Sequence, residues 1–208
     1  MERLCARSGY LKEEIIFIPS MSHSYCTYVS SITDMNDVDK MYHDLNYGVR
    51  IEDDNELFCR LVMEINQAGL SWHTILVKEK NFRKAYDNFD ITKVAKYGEK
   101  DFTRLMNDVG IIRNRLKINT AIYNAQKLVE IQKEQGSFRK WLDIENGKLK
   151  VEGDRNTHAK EAWLKLFKKH FKFVGGEIVG EFLMSINMLP GSHGKECEVY
   201  KGRSRNEE

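Results

Sequence analysis

The residue of this chain best placed to do chemistry is a glutamate set in an apolar stripe. In the run Met63-Glu64-Ile65-Asn66-Gln67-Ala68-Gly69-Leu70-Ser71-Trp72, Glu64 follows Leu61 by three residues and Leu57 by seven. From Asp54 onward, Leu57, Phe58, Leu61, Val62 and Ile65 have the spacing of one helical face, so Glu64 projects into that face and Trp72 ends the helix. An ionised carboxylate sheltered from water without a partner is strongly unfavourable. The ordinary resolution is an ion pair or a cap; the rest of the chain argues for a different one.

A second group of residues could grip a phosphate backbone. Phe171-Lys172-Phe173-Val174-Gly175-Gly176 joins a helix ending near His170 to one starting near Glu177. So short a link packs the two helices closely, and its glycines permit positive φ while leaving backbone N–H groups uncovered by side chains. At a helix start such donors favour an anion. Lys168, Lys169 and Lys172 would reinforce the attraction to a phosphodiester. This is the pattern of a helix-hairpin-helix DNA-binding unit; the plain alternative is a tight αα-turn with solvated lysines. Gly110-Ile111-Ile112-Arg113-Asn114-Arg115 offers a second glycine-led helix start whose arginines could lie beside the same backbone.

A third group could bind metal. His193 and Cys197 stand four residues apart near one end, and Cys26 and His43 flank a tyrosine-rich stretch near the other. Together they form a Cys2His2 set suited to tetrahedral zinc, which would pin the amino-terminal loop to the carboxyl-terminal tail. Four protein ligands leave no open position for catalysis. Any two cysteines and two histidines can be paired on paper, so the spacing alone leaves accidental pairing open.

Positioning these groups falls to helices. The 208 residues suffice for one sizeable core, and only two prolines interrupt a chain of high charge content, a mix that suits an all-α protein. The periodicity predicts helices over 81–89, 92–97, 101–109, 113–133, 158–170 and 177–188, with Asp90 or Thr92 capping the second and Asp101 in the first turn of the third. Residues 25–49 read as a structured loop with one short helix, and 136–153 as a loop-rich passage around Trp141. No alternating run is long enough to propose a sheet. Residues 1–23 lack periodicity and are expected to form a poorly ordered extension, Met21 being a candidate translation start; 24–208 are expected to form one domain. No apolar run reaches membrane-spanning length, and two glutamates ahead of Ile15-Ile16-Phe17-Ile18-Pro19 argue against a signal peptide. Four scattered cysteines, Cys5, Cys26, Cys59 and Cys197, are no disulfide scaffold, so a cytoplasmic protein without membrane attachment is expected.

Taken in order, these stretches resemble the DNA-3-methyladenine glycosylase I family of the helix-hairpin-helix glycosylase superfamily. The resemblance rests on Tyr42-His43-Asp44 with Tyr47-Gly48-Val49, Glu64 with Gln67-Ala68-Gly69-Leu70-Ser71-Trp72, Gly110-Ile111-Ile112-Arg113 with Arg115 and Lys117-Ile118, Phe171-Lys172-Phe173-Val174-Gly175, and the His193/Cys197 pair. The run ending in Gln-Ala-Gly-Leu-Ser-Trp is the most specific. The resemblance implies a monomeric enzyme that flips 3-methyladenine out of alkylated double-stranded DNA and hydrolyses its N-glycosidic bond. It also implies structural zinc on Cys26, His43, His193 and Cys197. Tyr42 and Trp72 match the residues that stack on the base, Glu64 the carboxylate that hydrogen-bonds it, and Tyr28 and Tyr47 aromatic positions near the entrance. Lys172, Gly175, Gly176, Lys169 and Arg113 are the expected backbone contacts.

The chain departs from the family pattern at several of these places. Tyr28 and Tyr47 replace the usual tryptophans, Asn46 a glutamate, and Ile65-Asn66 a small residue and glutamine. Asp39 stands where a pocket tyrosine is often found, and the stretch from Cys26 to His43 is a few residues longer. The departures leave a non-enzymatic binder of damaged DNA as the alternative. Residues 192–196 carry no aspartate that could stabilise a sugar cation or orient water, which agrees with the resembled family, and Gly176-Glu177-Ile178 offer no lysine nucleophile, so hydrolysis without strand cleavage is expected.

Overall fold

The structure, a computed structural model, describes residues 21–151 and 157–204. Among them there are helices and no strands, as the composition requires. In order they are α1 (Met21–Ser30), α2 (Val38–Met41), a π-helical turn (Tyr42–Asn46), α3 (Asp54–Gln67), α4 (Trp72–Ala85), a 3-10 turn (Asp87–Phe89), α5 (Ile91–Val94), α6 (Glu99–Asn107), α7 (Arg115–Gln135), α8 (Phe138–Val151), α9 (Thr157–His170), α10 (Gly176–Ser185) and α11 (Glu198–Ser204). The expected extension lies outside the described residues except for Met21 to His23, which stand in the first turn of α1.

The centre of the fold is α3. Its N-cap is Asp53, which accepts from Glu56 N at 2.9 Å, and Leu57, Phe58, Leu61, Val62 and Ile65 are buried along it. It packs against α4, α7, α8 and α10, so a side chain on its buried face reaches every part of the core. Its end differs from the expectation. The helix stops at Gln67, Gly69 takes a left-handed φ of 81°, and Ser71 caps a new helix that begins at Trp72. The physical reason sits on α7: Lys117 Nζ donates to Asn66 O at 2.8 Å and Ala68 O at 2.7 Å, capping the final carbonyls of α3. Trp72 therefore opens α4 rather than closing α3.

Other boundaries move for similar reasons. The helix expected over 81–89 begins earlier, at the Ser71 cap, and ends at Ala85, because Asp87, Asn88 and Phe89 all have positive φ. Asp90 rather than Thr92 caps α5. Residues 25–49 hold part of α1, then α2 and the π turn, more helix than expected. The largest correction is the passage around Trp141, which is helical as α8. Its start is capped twice: locally by Ser137, whose Oγ accepts from Lys140 N at 3.0 Å, and from afar by Asp54, which accepts from Phe138 N at 2.8 Å and Arg139 N at 2.9 Å. Trp141 is buried, its ring 6.1 Å from Phe171 and 6.2 Å from Phe167. Phe138 and Phe182 complete this aromatic cluster, which fastens the α9–α10 pair to the core; each such fully buried ring contributes roughly 1.5–3 kcal/mol.

Candidate active site

The C-terminal half of α3, the start of α4, the π turn, α1 and α10 enclose a cavity of about 490 Å³, lined by Tyr25, Tyr28, Tyr42, Tyr47, Glu64, Gln67, Leu70, Ser71, Trp72 and Glu181. A π turn adds a residue to the helical repeat and reorients the chain beyond it. Here Tyr47 N donates to Tyr42 O at 2.9 Å across that turn, so both rings face the cavity, 5.7 Å apart. The Tyr42 and Trp72 rings lie 5.0 Å apart with their planes at 62°, a corner rather than a parallel slot. Tyr28 is at the mouth, 49 % exposed. Tyr47, expected beside it near the entrance, is instead interior at 5 %, because its hydroxyl is drawn in to Glu181 Oε2 at 3.1 Å.

Glu64 is 3 % exposed. The ion pair or cap that usually accompanies such a residue is missing: among the described residues no group donates a hydrogen bond to it. Arg60, one turn earlier, donates instead to the Tyr42 hydroxyl and stacks on that ring at 4.7 Å. Burial, with the nearby Glu181 adding to it and Arg60 opposing, pushes the Glu64 carboxyl up to about 8. Trp72 has a matching deficit, since its buried Nε1–H has no acceptor among the described residues. The cavity thus holds one unused acceptor and one unused donor.

Two lining residues escaped the sequence reading. Tyr25 donates to Asp39, at 3.2 Å to both the backbone oxygen and Oδ1. The buried Asp39 also pairs with His73, the neighbour of Trp72. Glu181 is 9 % exposed, and burial raises its pKa while the Tyr47 hydroxyl lowers it. The rule that picked out Glu64 applies equally to Glu181, which follows Ile178 by three residues and precedes Phe182. For Tyr25 no comparable signal exists.

The four expected metal ligands do meet. The ligand atoms of Cys26, His43, His193 and Cys197 all lie within 4.8 Å of one another. Cys26 Sγ is 3.3 Å from His43 Nε2 and 3.9 Å from His193 Nδ1; the two imidazole nitrogens are 3.2 Å apart; Cys197 Sγ is 3.7 Å and 3.6 Å from them. Each ring's far nitrogen is held, His43 Nδ1 by Asp44 Oδ1 at 2.7 Å and His193 Nε2 by Tyr47 O at 3.0 Å. Such outer contacts orient the ligating nitrogens, so the set could hold a metal ion. Gly48 closes the same corner: at φ 69° its backbone passes so near Ser192 that an added Cβ would lie 2.3 Å from Oγ.

At the hairpin the strain falls on an unexpected residue. Phe173 carries the positive φ, 54°, whereas Gly175 has φ −83°. Nothing inside the protein lies within 4 Å of a Cβ built on Gly175, so packing does not require glycine there. Asn124 of α7 fixes the loop, accepting from Lys172 N at 2.9 Å and donating to Lys172 O at 3.3 Å. Lys168, Lys169 and Lys172 are exposed, the last with Nζ 3.9 Å from the Tyr123 ring centre. Arg113 is also exposed, ahead of the Asn114 cap of α7.

The cavity thus sets a buried acid among aromatic rings, with the helix that follows the hairpin contributing to its wall through Glu181. The family model for methyladenine glycosylases matches residues 32–200. DNA-3-methyladenine glycosylase 1 of Escherichia coli (strain K12) is 35 % identical over 170 residues, 77 % of this chain and 90 % of the relative. DNA-3-methyladenine glycosylase of Haemophilus influenzae is 30 % identical over 165 residues, 75 % of this chain and 89 % of the relative. In solved structures, 3-methyladenine DNA glycosylase I of Staphylococcus aureus superimposes with a TM-score of 0.70 at 30 % identity, covering 86 % of this chain and 97 % of that one. A variant of 3-methyladenine DNA glycosylase I in complex with 3-methyladenine gives 0.70 at 28 %, covering 83 % and 96 %. The chain belongs to the methyladenine glycosylase family, and its enzymatic class is that of a hydrolase acting on N-glycosyl bonds.

Proposed function

We propose that the chain releases 3-methyladenine from alkylated double-stranded DNA, acting as a monomer in the cytoplasm and leaving the strand uncut. The observation that carries this reading is Glu64, a buried carboxylate with no donor among the described residues, in a cavity walled by Tyr42 and Trp72.

The hairpin would hold the duplex. The uncovered backbone of Gly175 and Gly176, with Lys169, Lys172 and Arg113, supplies donors and positive charge for phosphates. Gly175 is glycine without an internal reason, which favours an outside group approaching it. A stacked base is out of reach, so the nucleotide rotates into the cavity. Tyr42 and Trp72 then present π surface to the methylated, cationic base, Tyr47 and Tyr28 frame it, and Glu64 accepts from its exocyclic amine.

The base is already a good leaving group, so no further proton is needed. The bond from C1′ to the base breaks with its electrons going to the ring, which leaves as neutral 3-methyladenine. A water oxygen bonds to C1′ and its proton passes to solvent. Glu64 stabilises the positive base as it binds and orients it. An unmethylated adenine lacks the charge and remains a poor leaving group. No lysine follows the hairpin at Gly176-Glu177-Ile178, which supports a monofunctional enzyme.

Cys26, His43, His193 and Cys197 would hold zinc. Bonds of about 2.0–2.3 Å in a tetrahedron set ligand-to-ligand distances of roughly 3.3–3.8 Å; the five pairs that involve a histidine run from 3.2 to 3.9 Å, and all four ligand atoms lie within 4.8 Å of one another. With four protein ligands its contribution is to clamp α1 and the tail before α11 to the π turn.

The test is base release from methylated duplex DNA, with chromatography separating 3-methyladenine from 7-methylguanine. Release of 3-methyladenine by the wild type, lowered about a hundredfold or more in Glu64→Gln, supports the proposal. A wild-type chain that releases no 3-methyladenine overturns it.

A further inference from the structure

The cavity contains a second carboxylate, carried by the helix that follows the hairpin. Glu181 is as sheltered as the residues around it, and its one hydrogen-bond donor among the described residues is the neutral Tyr47 hydroxyl. The nearest lysine is committed elsewhere: Lys160 pairs with Glu177 at 3.2 Å. Glu64 has no such donor, and the one cation described near it, Arg60, gives its hydrogen bond to Tyr42. The charged and titratable groups that bear on the two acids are therefore Arg60, Tyr42, Tyr47, Glu177 and Lys160. Two sheltered carboxylates whose described cations, Arg60 and Lys160, each also serve another group repel one another when both are ionised.

We propose that Glu181 is a second base-recognition residue, which together with Glu64 makes the cavity select N-alkylated, cationic purines by charge. This rests on the reading of the cavity as the base site. With no cation present, Glu64 keeps its proton. A cationic base lets that proton leave, because its positive charge compensates both carboxylates. A neutral purine brings no compensation, so the proton stays and the ring gains only its stacking and hydrogen bonds. Selectivity thus arises before the glycosidic bond is touched. Burial and the proximity of Glu181, which hold the Glu64 carboxyl above its ordinary range, act in the same sense.

The experiment uses two small ligands that differ in charge: 3,9-dimethyladeninium, permanently cationic, and 9-methyladenine, neutral. Binding to the full chain is followed by tryptophan fluorescence and by calorimetry in two buffers of different ionisation enthalpy. The wild type is expected to prefer the cation and to release about one proton per cation bound. Glu181→Gln keeps an acceptor for the Tyr47 hydroxyl; it is expected to bind the cation about tenfold or more weakly, with the neutral ligand within about twofold, and to release less proton than the wild type, because burial still raises Glu64 but Glu181 no longer adds to it. Equal cation affinity in wild type and Glu181→Gln, a parallel loss of both ligands, or no proton release by the wild type each overturns the proposal. Glu181→Asp, which keeps the charge, is expected to keep the preference for the cation and serves if Glu181→Gln impairs folding; loss of that preference in a folded Glu181→Asp also overturns the proposal. Base release by the wild type is scored separately, so failure of the glycosylase reading and failure of the Glu181 assignment give different results.

Discussion

The Cys/His cluster and the tyrosine-lined cavity share a wall and satisfy their polar groups in opposite ways. Tyr42 faces the cavity while His43, the next residue, faces the cluster. Tyr47 puts its ring in the cavity and its carbonyl on His193. In the cluster every far ring nitrogen is held, and four donor atoms converge on a point too small for anything but an ion. In the cavity Glu64 and the Trp72 Nε1–H have no partner among the described residues, and there is room for a flat ring system. A closed set of this kind could hold an ion and order the chain around it, whereas the cavity leaves its polar groups for an exchangeable occupant. The difference teaches that the clasp is the mould in which one side of the cavity is cast.

The sharpest way to break that relation is to remove the clasp. His193→Ala is expected to abolish stoichiometric zinc, measured by metal analysis of folded protein. It should also lower stability by several kcal/mol, on the order of 3–5, because binding energy at such sites is folding energy. Base release should fall with it, since the carbonyl of Tyr47 loses one of its two donors and keeps only Arg203. Wild-type protein that folds fully with much less than one equivalent of zinc would refute the clasp while leaving the cavity untouched.

Next in size is Glu64→Gln, which acts on the cavity alone. Base release should fall about a hundredfold or more while the metal content is unchanged. Its stability should move the other way. The Glu64 carboxyl sits near 8 in the fold against 4.5 ordinarily, so the folded state holds its proton more tightly than the unfolded chain. Stability from this group is present below the ordinary value and is lost as pH rises from there to about 8. Glutamine lacks that loss. Thermal unfolding from pH 5 to pH 8 should therefore show the variant gaining on the wild type, by on the order of 3 kcal/mol at most. A constant difference across that range would mean that Glu64 is not a sheltered, proton-holding acid.

How much of this is legible in the sequence depends on how far away the deciding partner lies. The face of α3 is readable because helical spacing is local, and so is the placement of Glu64 upon it. The Cys2His2 set comes together although the segment carrying Cys26 and His43 is remote from that carrying His193 and Cys197, because residue type identifies a metal ligand without geometry. The end of α3 is misplaced by periodicity because Lys117 of α7 caps it. Helix α8 reads as loop because Asn146-Gly147 lies within it, although Ser137 caps its start locally and Asp54 does so from another helix. Glu181 escapes notice although its spacing resembles that of Glu64, and Tyr25 belongs to the cavity only through the fold of α1 against the π turn.

Lys117→Met tests whether the turn between α3 and α4 is held from outside. The Nζ caps two carbonyls where the helix carrying Glu64 turns toward the helix opened by Trp72. Leaving those acceptors without a donor should cost about 1–3 kcal/mol. Base release should drop more than metal content, because the displaced elements belong to the cavity and not to the cluster. Urea unfolding and zinc analysis on one preparation would separate the two. Equal loss of both would mean that the shared wall transmits damage in each direction.

The smallest effect is expected at the hairpin, which contributes to neither occupant. Lys172 is exposed, and its ammonium rests on the Tyr123 ring while Asn124 fixes its backbone through main-chain groups. Lys172→Ala therefore leaves the loop's anchoring intact and removes one positive charge from the surface assigned to the phosphates. Duplex binding should weaken across all sequences, and the slope of log affinity against log salt should become shallower by about 0.9. Single-turnover release at saturating enzyme should stay near the wild-type value, because the cavity is unchanged. Titrations of one methylated and one unmodified duplex at several salt concentrations would measure the slope. A slope unaltered from wild type would move the phosphate contact off Lys172, and a lowered saturating rate would mean that the hairpin acts on the base as well as on the backbone.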